Sequence, residues 1–361
     1  MKTSSLALAV AFGACATAAQ AQSPASASAY GLPLSGTVAE RACRDCVQTP
    51  RRGVQRQQGL RGAAALDQLG GKELAAVFTF DAGALPDSGT DEERRYLGRE
   101  AFVGVAGKFG ALTLGRHHDL EYAAMTDVAD PFQGGLAAGA GNLVGHEAPE
   151  LDTSVQFITR EKHGVSAAAS LGLGEVSGNP RGNRAWGISV GLERGAFTVR
   201  LAHQNKNVAK VQTQTRLGNN MDAKNTILAA NYDVGVGKVY AAYSANRGWG
   251  SSPLWNPDNP YGASMATTAS TDSRDVLVGL AVPFGATTML ASFIRKNDRN
   301  LANQDANQAA VGLSYASSRR TDFYAAWSRI SNRNGAGYKL GAGTAAAPAS
   351  SALNVGMRHA F

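Results

Sequence analysis

Short runs in which every second residue is apolar recur along almost the whole chain, and a period of two limits such a chain to half-buried β-structure. In Leu353–Phe361, Leu353, Val355, Met357 and Phe361 alternate with Asn354, Gly356, Arg358 and Ala360, and only His359 breaks the apolar parity. Trp186, Ile188, Val190 and Leu192 likewise alternate with Gly187, Ser189, Gly191 and Glu193. Phe197, Val199 and Leu201 oppose Thr198, Arg200 and Ala202. Helical spacing accounts for none of these runs.

The pattern predicts strands near 30–38, 57–65, 72–81, 100–109, 111–118, 154–160, 165–173 and 185–193. A second set follows near 196–204, 225–234, 238–247, 274–283, 287–297, 307–317, 321–330 and 353–361, for sixteen in all. On these boundaries the connections alternate between long ones of 9 to 35 residues and short ones of 1 to 6, so every long one exceeds every short one. A soluble sandwich has no reason to sort its loops in this way. An up-and-down barrel whose rims face different compartments does.

A sheet in hydrocarbon must satisfy its backbone N–H and C=O groups internally, which a closed antiparallel barrel achieves without an edge. Its strands need about 9 to 11 residues with alternate side chains in lipid. The expected fold is therefore all-β, a transmembrane 16-stranded antiparallel up-and-down barrel. An even strand number puts both termini on the short-turn rim, the periplasmic side of bacterial outer-membrane barrels.

Composition agrees, because only 44% of the 361 residues are hydrophobic, as expected when every second strand residue meets lipid. A helical membrane protein needs apolar stretches of roughly 20 residues, and the longest here, Leu6–Ala19, includes Gly13 and Thr17. Residues 1–21 read as an export signal: Lys2 is the positive end, Leu6 to Ala14 the apolar segment and Ala19-Gln20-Ala21 the cleavage site. The expected mature domain is 22–361, and loss of Lys2 lowers the net charge from +7 to +6. Export and scattered arginines argue against a nucleic-acid partner. No cofactor motif is present, and Gly70-Gly71-Lys72 lacks the spacing of a phosphate-binding loop.

The sequence resembles the general-diffusion porins of Gram-negative bacteria, in the branch found in Neisseria and Burkholderia relatives. The resemblance is carried by Ala306–Tyr315, Ser318–Ala336 and Val355–Phe361, and continues through Gly98–Val105 and Phe109–Arg116. It departs at the start, where Pro33 follows Tyr30-Gly31 and Arg56-Gln-Gln-Gly59 replaces the usual Ser-Arg-Trp-Gly. The resemblance implies a passive channel for small hydrophilic solutes, a homotrimer, and contact with outer-membrane lipid and lipopolysaccharide. The final Phe361 implies recognition by the barrel assembly machinery.

In such a channel the chemistry is a filter, made by a loop folded into the lumen whose charges face opposite charges on the wall. The third long connection, Asp119 to Thr153, is the longest, holds the place of the family's inward-folded constriction loop, and carries Asp119, Glu121, Asp127 and Asp130. Parity makes Arg61, Arg160 and Arg200 candidate pore-wall residues, since Arg facing lipid near the midplane costs roughly 2–4 kcal/mol. Simple alternation puts Arg99 with Val103 and Arg116 with Leu114 on the lipid side unless a bulge or strand end intervenes. The resemblance favours both as pore residues. The bland alternative for any of these charges is a solvated rim residue.

Cys43 and Cys46 are a candidate disulfide in an oxidising exported context, and they lack the further ligands a zinc site needs. No metal site is expected. His117 and His118 point to opposite faces of a strand, so at most one reaches a lumen. Two other functions remain open at this stage: an outer-membrane barrel enzyme with a catalytic set at one rim, and an exported soluble β protein or adhesin.

Overall fold

The structure, a computed structural model, describes residues 26–32, 35–42, 56–65, 74–85, 90–91, 100–135, 137–145, 150–174, 184–207, 222–251, 270–338, 340 and 349–359. The first strands are β1 (Ser26–Leu32), β2 (Ser35–Ala42), β3 (Arg56–Ala65), β4 (Ala75–Leu85), β5 (Thr90–Asp91) and β6 (Ala101–Gly107). Next come β7 (Gly110–His118), β8 (Glu150–Thr159), β9 (Val165–Gly172), β10 (Ala185–Arg194), β11 (Phe197–Lys206) and β12 (Ala223–Asp233). The last are β13 (Lys238–Arg247), β14 (Asp272–Phe284), β15 (Thr287–Asp298), β16 (Ala306–Ala316), β17 (Thr321–Asn332) and β18 (Ala349–His359). Between β7 and β8 lie a short helix α1 (Leu120–Ala124), a π-helical turn (Met125–Ala129) and a 3-10 turn (Ala140–Asn142).

β4 and β6 to β18 make fourteen successive strands, each antiparallel to the next, in an all-β up-and-down meander. Two-residue Gly-Ala turns close β10–β11 and β14–β15, with Gly195 and Gly285 at φ 61 and 60, a left-handed conformation that costs glycine little. β3 continues the meander beyond β4, β1 pairs with β3, and β2 pairs with β18.

Burial is inverted relative to a soluble protein. On β14, Ser273, Asp275 and Leu277 are buried while Val276, Val278 and Leu280 are exposed. On β15, Ser292, Ile294, Lys296 and Asp298 are buried while Met289 and Phe293 are exposed. A soluble sheet would cover the second set, because each such side chain contributes roughly 1.5–3 kcal/mol when buried. One face of the meander is thus bare and apolar, and the other is polar and covered. At the short-turn ends, Phe109, Phe197, Tyr232, Phe284, Tyr315 and Phe323 form an exposed aromatic row on the bare side, with Phe197 paired to Tyr232 and Tyr315 to Phe323. Aromatic rings of this kind settle at a membrane–water boundary.

The expected sixteen strands become eighteen segments among the described residues. The strand expected at 30–38 is two, β1 and β2, separated by Pro33 and Leu34, and no ladder joins them. A proline has no N–H to give a ladder, which suits a break there. The extra β5 is a two-residue pairing with the end of β4. The strict sorting of loop lengths does not hold either: 299–305 on the long side is shorter than 66–74 on the short side. Strands run past their apolar stretch at the rims, as β15 does through Lys296 to Asp298, and so consume residues assigned to loops. For the same reason the long connection after β7 ends at residue 149, not 153. The expected export signal at 1–21, Cys43, Cys46, Arg99 and Phe361 lie outside the described residues.

Candidate functional site

The segment 119–145 lies on the covered face and reaches across it. Asp119 caps α1, its carboxylate accepting from the Tyr122 N–H at 2.7 Å, as an N-cap aspartate should. The chain then descends. Asn231, two residues from the short-turn end of β12, donates to the Val128 carbonyl at 2.9 Å. Pro131 and Phe132 press on Gly279 and Gly312, where an added Cβ would sit 2.8 Å from Pro131 Cγ and 2.7 Å from Phe132 Cε1. Only glycine leaves room for so close an approach.

The return limb is held by side chains nearer the long-connection rim. Gln308 donates to the carbonyls of Ala138 and Gly139 at 3.2 and 3.1 Å, Ser328 to that of Ala137, and Lys296 to that of Leu143 at 2.9 Å. Met125, Val128 and Leu143 from the segment and Ile227, Leu277, Ile294 and Ile330 from the strands form an apolar core between them. The segment is therefore fastened by both hydrogen bonds and burial.

Its four acids have separate fates. Asp130 is buried and organises the turn, accepting from the N–H groups of Phe132, Gly134 and Ala140 at 2.9, 3.0 and 2.9 Å. Burial pushes its carboxyl up from the ordinary range, and the three N–H groups oppose that rise. Glu121 is buried with Oε1 lacking a hydrogen bond; burial first, then the charges of Asp119 and Asp275, push its carboxyl well above the usual range, with Lys296 opposing. Asp119 is buried in its cap. Asp127 alone is open, its side chain 65% exposed, and it stands 3.5 Å from Arg200 of β11.

The candidate arginines also separate. Arg200 is on the covered face and meets Asp127. Arg116 keeps the parity of Leu114, despite a register shift between Gly115 and His117, and pairs with Asp152 and, at 3.7 Å, with Glu150 of β8. Arg160 falls just beyond β8, exposed at a short turn, with its N–H bonded to the Phe109 carbonyl. Arg61 lies in β3 opposite Thr79 of β4. Of these arginines, Arg200 meets a candidate loop acid, Asp127, within the described residues. His117 is buried between Thr113 and Ser154, 2.8 Å from each hydroxyl, and stacks on Phe102 at 4.6 Å. His118 sits 3.7 Å from Glu150.

Two groups were not anticipated. Lys296 and Asp275 form an ion pair at 3.0 Å with both side chains fully buried. Arg358 of β18 pairs with Asp322 of β17 at 2.7 Å, beside Tyr324. Strand parity alone would have put each of these on the covered face.

A bare apolar face, an aromatic row and a polar face crossed by a fastened loop define a membrane-embedded β-sheet channel. The sequence matches the family described as Gram-negative porin over residues 5–335, and the chain belongs to that family. It is a passive diffusion channel of the bacterial outer membrane. No curated relative matches it. Among solved structures it is similar to the anion-selective porin from Comamonas acidovorans, with TM-score 0.69 and 19% identity over 94% of this chain and 100% of that one. It is also similar to OmpF of Salmonella typhi in complex with daunomycin, with TM-score 0.65 and 15% identity over 93% and 97% of the two chains. The trimer form of OmpT from Vibrio cholerae gives TM-score 0.63 and 15% identity over 94% and 100%. At these identities the likeness is one of fold.

Proposed function

We propose that the covered face lines a water-filled lumen for small hydrophilic solutes, narrowed by segment 119–145 as the inward-folded third long loop. The observation that carries this is the inversion of burial: Val276, Val278 and Phe293 bare, Asp275, Lys296 and Gln308 covered. The wall has sixteen staves, β1 and β2 being two halves of one, since they pair with β3 and β18 on either side. Asp127 of the loop and Arg200 of the wall face each other at 3.5 Å and set up the transverse field. Arg61 and Arg99 are further wall charges, and Arg116 and Arg160 serve at the rims.

Among the described residues of segment 119–145, Asp127 is the one open carboxylate, because Asp119, Glu121 and Asp130 are buried. With a mature net charge of +6, the whole chain's +7 less Lys2, we assign a mild anion preference, in line with the solved anion-selective porin. Residues 1–21 are removed on export, Cys43 and Cys46 form a disulfide in the first long connection, and Phe361 addresses the assembly machinery. The protein works as a homotrimer in contact with lipid and lipopolysaccharide; a trimer form is described for OmpT of Vibrio cholerae. An exported soluble protein would not leave so many large apolar side chains bare.

The test is purified protein in planar bilayers under a salt gradient. Ohmic steps, grouped in threes, with a zero-current potential on the anion side are expected. Absence of steps would end the channel assignment, and a cation-side potential would end the sign.

A further inference from the structure

The connection after β17 also turns inward. Arg333–Ala336 is a tight turn, closed by the Ala336 N–H on the Arg333 carbonyl at 2.9 Å, with Asn334 and Gly335 at φ 50 and 75. Asparagine followed by glycine accepts two successive left-handed conformations at little cost. The tip of the turn is exposed and tied to the neighbouring connection 299–305, where the Asn334 side chain donates to the Asn303 carbonyl at 2.6 Å. Beyond the turn the chain runs back beside its own strand, and Asn332, the last residue of β17, donates to the Tyr338 carbonyl at 2.8 Å. Ala336, Tyr338 and Leu340 are buried.

These side chains pack with the constriction segment. Tyr338 and Leu340 belong to the same apolar cluster as Ala140 and Leu143 of segment 119–145 and Ile294 and Ile330 of the wall. Lys296 Nζ lies over the Tyr338 ring, 5.7 Å from its centre, and the same nitrogen donates to the Leu143 carbonyl at 2.9 Å. The face of an aromatic ring attracts a cation, and more strongly when both are removed from water, as Tyr338 and Lys296 are. The ties from Gln308 and Ser328 to the return limb come straight from the wall. The tie from Lys296 is shared with Tyr338, so one ammonium joins two connections that are far apart in the chain.

We propose that Tyr338 is a positioning residue for the filter: its ring, seated on Lys296, holds the return limb of segment 119–145 in place, and withdrawal of Tyr338 releases the limb and widens the lumen. The aperture is then set from the connection after β17 as well as from the one after β7. The widening rests on the channel reading above, whereas the contact does not.

The experiment follows a thiol on the return limb. Ala140→Cys is introduced into the full-length mature protein with Cys43→Ser and Cys46→Ser, purified in neutral detergent, and a water-soluble maleimide is added. Ala140 is fully buried, so a thiol there reacts only when the limb lifts. Tyr338→Ala is expected to speed labelling about tenfold, and Tyr338→Phe, which keeps the ring, to leave it near the starting rate. In a Lys296→Met background Tyr338→Ala is expected to add little, because the two changes act through one contact. In planar bilayers Tyr338→Ala is expected to raise single-channel conductance. Unchanged labelling of a folded Tyr338→Ala protein overturns the proposal, as do equal acceleration by Tyr338→Phe, full additivity with Lys296→Met, or faster labelling with unchanged conductance. Heat-modifiable gel mobility, expected unchanged, shows that the variants are folded. Should Tyr338→Ala fail to fold, Asn332→Ala is used, which frees only the Tyr338 carbonyl; labelling about threefold faster is expected, and no change overturns the proposal. Faster labelling in a protein that never conducts would overturn the channel reading and leave the contact standing.

Discussion

Lys296 Nζ of β15 lies 3.0 Å from Asp275 Oδ2 of β14, with neither side chain reached by solvent, and the same nitrogen donates to the Leu143 carbonyl of the crossing loop. Asn246 donates to the same Asp275 oxygen at 2.7 Å, and Ser273 Oγ is 3.1 Å from the lysine. A buried pair of this kind adds little net stability over an apolar substitute, but losing one partner strands a charge. Lys296→Met is expected to cost about 3–5 kcal/mol at this site and to free the loop. Thermal unfolding and open-channel noise measure both effects, and the double change Lys296→Met with Asp275→Leu is expected to recover most of the stability.

Glu121 makes loop docking depend on pH. Its carboxyl is pushed up by burial, so the docked loop holds the proton more tightly than an undocked one. Docking is therefore most favourable below the ordinary value of 4.5 and weakens as pH rises toward the elevated one. Current noise is expected to grow as pH rises above the ordinary carboxylate range in the wild type and to stay flat in Glu121→Gln.

Gly279 and Gly312 are expected to tolerate no side chain while the loop is seated. A Cβ at Gly312 would also lie 2.9 Å from the Ala325 carbonyl, so a wall residue and the loop crowd it together. Gly312→Val is expected to displace Phe132, at a cost of about 1–3 kcal/mol, and to raise single-channel conductance.

Asp127 and Arg200 govern selectivity with opposite sign. Arg200→Ser is expected to lower the anion-to-cation permeability ratio, and Asp127→Asn to raise it, each by roughly two- to fivefold, as befits exposed charges. Zero-current potentials under a salt gradient give both numbers. Arg116→Ser, which removes a pair with Asp152 and Glu150, is expected to leave the ratio unchanged.

The strands were legible because alternation is a local property: Trp186 and Gly187 declare their faces without reference to anything distant. Pro33 also announced trouble at the first strand, where β1 and β2 separate. The loop was legible only as a length and a charge. Sequence shows that Asp119, Glu121 and Asp130 are acidic but not that they are buried, since burial depends on where the loop docks, and its anchors lie far along the chain, as Asn231 of β12 does from Val128. Two local signals were nonetheless available. Asp119 before Leu-Glu-Tyr-Ala-Ala is an N-cap pattern, and Asp130 before Pro131 is a turn pattern. Lys296 could have been placed by parity with Ser292 and Ile294, but its partner Asp275 could not be chosen without the register of β14 on β15.

The central claim is that adjacent strand residues face water and lipid in turn, and Arg200 and Leu201 test it directly. Each is replaced by cysteine in a Cys43→Ser, Cys46→Ser background, and a charged methanethiosulfonate is added to single channels in a planar bilayer. Stepwise loss of current at Arg200→Cys and none at Leu201→Cys is the result this account predicts. Block at Leu201→Cys with none at Arg200→Cys would contradict it.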